Sequence, residues 1–210
     1  MKASLTEAIG TFFLVLTVGL CVNAGVALAP LAIGGVLMVM VYAGGRVSGG
    51  HYNPAVSLAA WLRGALPTAQ LAPYWAAQFA GAIVAGFLIW KFTGHPVHVA
   101  PGELTTWLKA VVGEGAFTFA LAYVVLHAAT TKATEGNSYF GLAIGATLGI
   151  GVAAMGGITG GAFNPAVGVG PALVEMALGR SPTAMWWVYL VGPLAGGAVA
   201  AYVYRFQEKP

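Results

Sequence analysis

Charge is what this chain has least of. Of its 210 residues nine are Lys or Arg and six are Asp or Glu, 7% in all, where a soluble domain carries about 25%. Mean hydropathy is +0.82. An ordinary soluble domain is excluded. The net charge of +3 is scattered, so no basic patch offers itself to nucleic acid. A single cysteine, Cys21, excludes a disulfide within the chain. No metal-ligand cluster, nucleophile–base pair or cofactor fingerprint is present, so an enzyme is not expected, nor any catalytic residue, metal or cofactor. The opening "MKASLTEAIGTFF" carries Glu7 at the edge of an apolar run that continues as a full span, unlike a cleavable signal peptide.

What the chain does have is apolar length. A bilayer core about 30 Å thick takes about 20 apolar residues per helix. Spans are expected at about 5–28, 31–47, 69–91, 106–129, 137–158 and 183–205. Pro30, "HPVHVAPGE" and "TTKATEGNS" separate them, and the proline in "GRSPT" suits the start of the last. Two segments are left over, 48–64 and 159–178. Each opens on small residues and Asn-Pro-Ala, then runs apolar for too few residues to cross. Half-spanning re-entrant helices fit, because irregular backbone at membrane depth is tolerated when it is buried in protein or lines a wet cavity.

The chain repeats itself. "EAIGTFFLVL" from Glu7 answers "EGAFTFALAY" from Glu114, and "SGGHYNPAVSLAAWL" answers "TGGAFNPAVGVGPAL", at offsets of 107 and 111 residues. The halves are 1–105 and 106–210, together one membrane domain. Three spans per half is odd, so the second half runs inverted. The two short segments then enter from opposite faces and meet near the middle. The predicted fold class is an all-α membrane protein of six transmembrane helices plus two half-spanning helices.

Asn is a favoured N-cap and Pro a favoured first helical residue. With the Asn oxygen on its own first turn, the NH2 group is expected to be free to donate. Asn53-Pro54-Ala55 and Asn164-Pro165-Ala166 would place two amides at midplane, each on a helix end worth about +0.5 charge. A water turning its oxygen to both could not relay protons, and the dipoles oppose cations. The carbonyls of Gly49, Gly50, His51, Gly160 and Ala162 are candidate pore-lining acceptors.

On these features the whole chain resembles the aquaporin, or major intrinsic protein, family: two Asn-Pro-Ala loops, an early Glu in spans one and four, Gln78, and "VGPLAGG" in the last span. The resemblance implies a passive channel for water and small uncharged solutes, and a homotetramer with one pore per subunit. It implies that Glu7 and Glu114 hold the backbone of the Asn-Pro-Ala loops. It places a selectivity filter toward the outer face twenty residues before the first Asn, and twelve before, three before and three after the second. Those positions are Ile33, Val152, Gly161 and Val167. Water-selective members resemble one another in an aromatic, a His, a small residue and an Arg, and glycerol-conducting members keep the Arg. Here aromatics, His and Arg are all missing, so the filter is expected to be wider, apolar and uncharged. Glycerol-conducting members usually have Asp after the Arg; this chain has Gly168. Tyr189-Leu190 replaces an aromatic pair common in water channels.

Substitutes for the Arg could come from His95, His98 or Lys91. His51 is expected at the cytoplasmic vestibule. Arg46 is either at the inner mouth or a positive-inside anchor. Gly141, Gly145 and Gly149 form a small-residue stripe for helix crossing. Trp107, Trp186 and Trp187 suit the membrane interface. Asn23 and His127 suit hydrogen bonds between helices. The family's mercury-sensitive Cys is often at the position of Gly161, so weak mercurial inhibition is expected. Lys2, Arg46, Arg63, Lys132, Arg205 and Lys209 on one side, against Lys91, Lys109 and Arg180 on the other, favour cytoplasmic termini. The expected location is the plasma (inner) membrane, with lipid around it. Competing readings are a channel for larger neutral solutes, one with relaxed ion exclusion, and a secondary transporter.

Overall fold

The computed structural model describes residues 1–208, and Lys209 lies outside them. Among the described residues the elements are helical: α1 (Lys2–Asn23), α2 (Ala29–Ser48), α3 (Pro54–Arg63), α4 (Thr68–Thr93), α5 (Trp107–Thr130), a 3-10 turn (Lys132–Thr134), α6 (Phe140–Thr159), α7 (Pro165–Ala177) and α8 (Val188–Gln207). Five of these, α1, α2, α4, α5 and α6, are long and apolar enough to cross a membrane. α8 has the length, but its glycines, proline, tyrosines and Arg205 dilute its apolarity. It packs along α5 as α4 packs along α1, so it is the sixth span by position in the repeat.

Two expected boundaries move. The first helix stops at Asn23, not 28. Gly25 turns the chain at φ 60°, and Asn23 Nδ2 donates to Thr93 Oγ1 and the His95 carbonyl, both at 3.1 Å. The last helix starts at Val188, not 183, because Thr183 closes a separate turn, its carbonyl taking Trp186 N and its Oγ1 taking Met185 N. Pro182 therefore ends a loop instead of opening a helix.

α3 and α7 begin in the interior and end on opposite faces. Arg63, closing α3, donates from Nε to Thr130 Oγ1 and from Nη2 to the Thr130 carbonyl and Tyr204 Oη. That ties α3 to the face where α5 and α8 end, the terminal face. At 1.5 Å per residue α3 rises about 15 Å and α7 about 20 Å, short of a full crossing.

α2 and α6 bring the two halves together. The glycine stripe of α6 does this packing. Gly141 lies under the Tyr42 ring, Gly145 against the Gly34 carbonyl and Met38, and Gly149 against the Pro30 carbonyl. A Cβ on Gly34 would sit 2.6 Å from the Gly145 carbonyl oxygen. Gly34→Leu is therefore expected to lower stability by about 1–3 kcal/mol through overpacking. Gly157→Ala, whose Cβ would meet nothing within 4 Å, is expected to be near neutral. Thermal unfolding in detergent checks both.

Candidate functional site

Each half makes its site by ending a helix in left-handed backbone. α2 closes at Gly49 (φ 88°) and α6 at Gly160 (φ 91°); Gly50 and Gly161 follow, both at φ 64°. The next residues but one are Tyr52 (φ 49°) and Phe163 (φ 47°), bulky side chains in a conformation they rarely adopt. Asn53 and Asn164 then return to extended backbone as N-caps of α3 and α7. The backbone of one loop reproduces that of the other to within a few degrees.

Buried carboxylates hold the strained residues. Glu7 Oε2 accepts Tyr52 N at 2.6 Å, and its Oε1 accepts Ser48 Oγ (2.6 Å) and His51 N (3.0 Å). Glu114 Oε2 accepts Phe163 N at 2.6 Å, and its Oε1 accepts Thr159 Oγ1 (2.7 Å) and Ala162 N (3.2 Å). Both carboxylates are fully buried. A tyrosine hydroxyl completes each loop: Tyr74 Oη donates to the Ser48 carbonyl at 2.9 Å and Tyr189 Oη to the Thr159 carbonyl at 2.8 Å.

The asparagines lock the halves to each other. Asn53 Oδ1 accepts from Ala55 N and Asn164 Oδ1 from Ala166 N, the expected caps. Each Nδ2, however, donates across the midplane: Asn53 to the Phe163 carbonyl and Asn164 to the Tyr52 carbonyl, both at 2.9 Å. The expectation of a fully free NH2 is corrected. One N–H of each amide is committed to the other loop, leaving one per Asn for a solute.

A cavity of about 260 Å³ runs past this junction. Asn53 and Asn164 line it, together with all four sequence-assigned filter positions, Ile33, Val152, Gly161 and Val167. Its remaining wall is largely aliphatic, with His51 and His98 as its two histidines. Of the candidate carbonyl residues, His51, Gly160 and Ala162 line the cavity. Gly49 instead borders a second cavity of about 560 Å³ beside Arg46, Arg63 and Lys132. Gly50 lines neither; it is buried against α2, where a Cβ would come within 3.4 Å of Val41 Cα. The place of Gly161 has a further reason: a Cβ there would lie 3.0 Å from Gly156 Cα.

The repeat breaks in two places. Gln78 Nε2 joins Glu7 Oε2 (2.8 Å) to Ser57 Oγ (2.9 Å), and Ser57 Oγ meets His51 Nδ1 at 3.0 Å. The counterparts of His51 and Ser57 are Ala162 and Gly168. A Cβ on Gly168 would run into the Tyr189 side chain, with Cγ at 2.5 Å. Tyr189 thus occupies the room an Asp at 168 would need.

Sequence reasoning missed Ser48, Thr159 and Tyr74, although Ser48 and Thr159 hold equal repeat positions, and it named Tyr189 only as part of the Tyr189-Leu190 pair, without its bond to the Thr159 carbonyl. It also missed Glu175, a lone carboxylate in an apolar half-helix, which faces His98 Nδ1 at 2.8 Å. Of the Arg substitutes considered, His98 lines the cavity, while His95 is exposed and Lys91 lies over the Trp90 ring at 4.5 Å. Asn23 and His127 both bond between segments, His127 Nε2 to Gln207 Oε1 at 3.2 Å.

Two half-helices meeting head to head inside an inverted repeat, around an aliphatic cavity, make a membrane channel and not an enzyme. Residues 1–204 match the model of the major intrinsic protein family, and the chain belongs to it. It is 39% identical to aquaporin NIP1-1 of Zea mays over 220 residues, 98% of this chain and 76% of that protein. It is 36% identical to nodulin-26 of Glycine max, covering all of this chain and 80% of that one. The fold superposes on the X-ray structure of the aquaglyceroporin from Plasmodium falciparum with a TM-score of 0.80, covering 97% of this chain and 94% of that one at 21% identity. The protein is an integral membrane protein and a passive channel for water and small neutral solutes.

Glu114→Ala is expected to strand the Ala162 and Phe163 amides. At about 1–3 kcal/mol per unsatisfied buried group, it should lower thermal stability and water permeability together, with Glu114→Gln milder. Cys21 does not line the cavity, so mercurials are expected to leave water flux nearly unchanged. Thiol-reversible block in a stopped-flow assay would contradict this.

Proposed function

We propose that Ile33, Val152, Gly161 and Val167 form the selectivity filter, and that it admits water and small uncharged solutes through an apolar, uncharged constriction. The observation that carries this is their meeting on one cavity with Asn53 and Asn164, with no charged or donor side chain among the four. Elsewhere in the family an Arg at the Val167 position supplies fixed donors and a permanent charge. Without it, exclusion of cations falls to the Asn53 and Asn164 amides and the N-terminal ends of α3 and α7. One remaining N–H from each Asn turns the oxygen of a passing water and interrupts a proton-conducting file.

Coupled transport is the weaker reading. The buried carboxylates Glu7 and Glu114 are held by the amides and hydroxyls of the pore loops, and the third, Glu175, is paired with His98, so each is already engaged by protein groups. Relaxed ion exclusion is favoured by one specific feature, the apolar Val167, and single-channel recording separates it from a purely neutral conductance.

Assembly as a homotetramer in lipid is supported by the large apolar side chains left exposed on the single subunit, among them Leu31, Phe92, Leu142 and Tyr202. Cytoplasmic termini are supported by Arg46, Arg63, Lys132 and Arg205 lying on the terminal face. The plasma membrane is the proposed location.

Stopped-flow light scattering on proteoliposomes, comparing water with urea and glycerol, tests the filter. Val167→Arg is expected to reduce urea and glycerol permeability by tenfold or more, the scale of about 1.4 kcal/mol at the barrier, while sparing water. An unchanged solute range would refute the assignment.

A further inference from the structure

The segment between α4 and α5 dips into the pore mouth and is fixed on both sides of His98. Before it, Asn23 bonds the His95 carbonyl, and Val97 is buried so closely beside Gly19 that no Cβ fits there. After it, Gly102 N and Thr105 Oγ1 both donate to the Ile158 carbonyl, at 2.9 and 2.8 Å. The Ala100 carbonyl lies against Gly160, 3.0 Å from where a Cβ would stand. His98, Val99 and Ala100 all line the same cavity as the filter.

His98 is also fixed by its ring. Nδ1 lies 2.8 Å from Glu175 Oε1, and the Glu175 side chain is 7% exposed while that of His98 is 53% exposed. A carboxylate can only accept, so Nδ1 carries the proton and donates. In the neutral ring the other nitrogen, Nε2, then holds a lone pair with no proton. No protein partner of Nε2 is found among the described residues.

We propose that His98 is the polar member of the selectivity filter, offering Nε2 as an acceptor to the permeating solute, with Glu175 as its positioning residue. The proposal rests on the filter reading given above. A guanidinium at the mouth would give donors, whereas this imidazole gives an acceptor. The solutes it serves are small neutral molecules rich in N–H or O–H groups. Urea and glycerol shed several hydrogen bonds to water on entering an aliphatic constriction, and Nε2 returns one of them.

The test compares urea, glycerol and water permeability in proteoliposomes of the full chain carrying His98→Leu, Glu175→Gln or Glu175→Leu. His98→Leu is expected to lower the urea-to-water and glycerol-to-water ratios roughly three- to tenfold, the worth of one neutral hydrogen bond. Glu175→Leu is expected to follow it. Glu175→Gln keeps an oxygen for Nδ1 and is expected to retain near-native ratios, a distinction that a merely structural role would not produce. His98→Ala replaces the Leu variant should that one fail to accumulate. Unchanged ratios in the His98 variants overturn the proposal, as does an equal fall in all three permeabilities with a fall in thermal stability, or a rise in urea and glycerol flux. If Val167→Arg narrows the solute range while His98→Leu changes nothing, the four-residue filter stands and the role of His98 falls. If neither changes it, both fall.

Discussion

The pore depends on two carboxylates holding two bulky residues in left-handed backbone. Tyr52 and Phe163 would ordinarily relax out of that region, at a gain of about 1–3 kcal/mol each. Glu7 and Glu114 reward the strained shape by accepting the very N–H groups it exposes, at 2.6 Å in both halves. That reversal of the chain points Asn53 and Asn164 at each other and starts α3 and α7 at midplane. A carboxylate buried in this way is often a transport group. Here its lone pairs are spent on the loop, so its charge serves backbone geometry.

Symmetry explains the frame and asymmetry explains the chemistry. Both loops share φ angles, helix caps, carboxylate anchors and tyrosine ties. They part at His51–Ser57–Gln78, a polar chain with no counterpart around Ala162 and Gly168. They part again at Tyr189, whose ring fills the space beside Gly168. The two halves therefore give the pore one end with a histidine from the loop itself, hydrogen-bonded to Ser57 on α3, and another where valine and glycine line the wall and the histidine, His98, comes from the segment between α4 and α5. Gly168 and Tyr189 are best understood as one feature: the side chain missing from α7 is supplied in bulk by α8.

The fold was legible because its signals are long and duplicated. Six apolar runs, two half-length ones and matching offsets leave little choice of topology. The four positions proposed as the filter were picked by their distances to Asn53 and Asn164, and all four line one cavity with those asparagines. What stayed hidden is whatever depends on contacts between segments far apart in sequence. Nothing in "SGGHYNPAV" says that the Asn amide will spend an N–H on a carbonyl 110 residues away. Nothing in "HPVHVAPGE" says that His98, and not His95, will meet Glu175. Helix ends moved where a side chain competed for the backbone, as Asn23 and Thr183 do.

The crossed bonds from Asn53 to Phe163 and from Asn164 to Tyr52 also have a meaning in time. When the first half enters the bilayer, the Tyr52 carbonyl and the Asn53 amide face a low-dielectric interior with their partners more than a hundred residues away along the chain. The first loop must wait, solvated by water or loosely placed, until the second arrives and closes both bonds at once. Neither half alone can make either crossed bond, so the junction of the two half-helices exists only when both loops are in place.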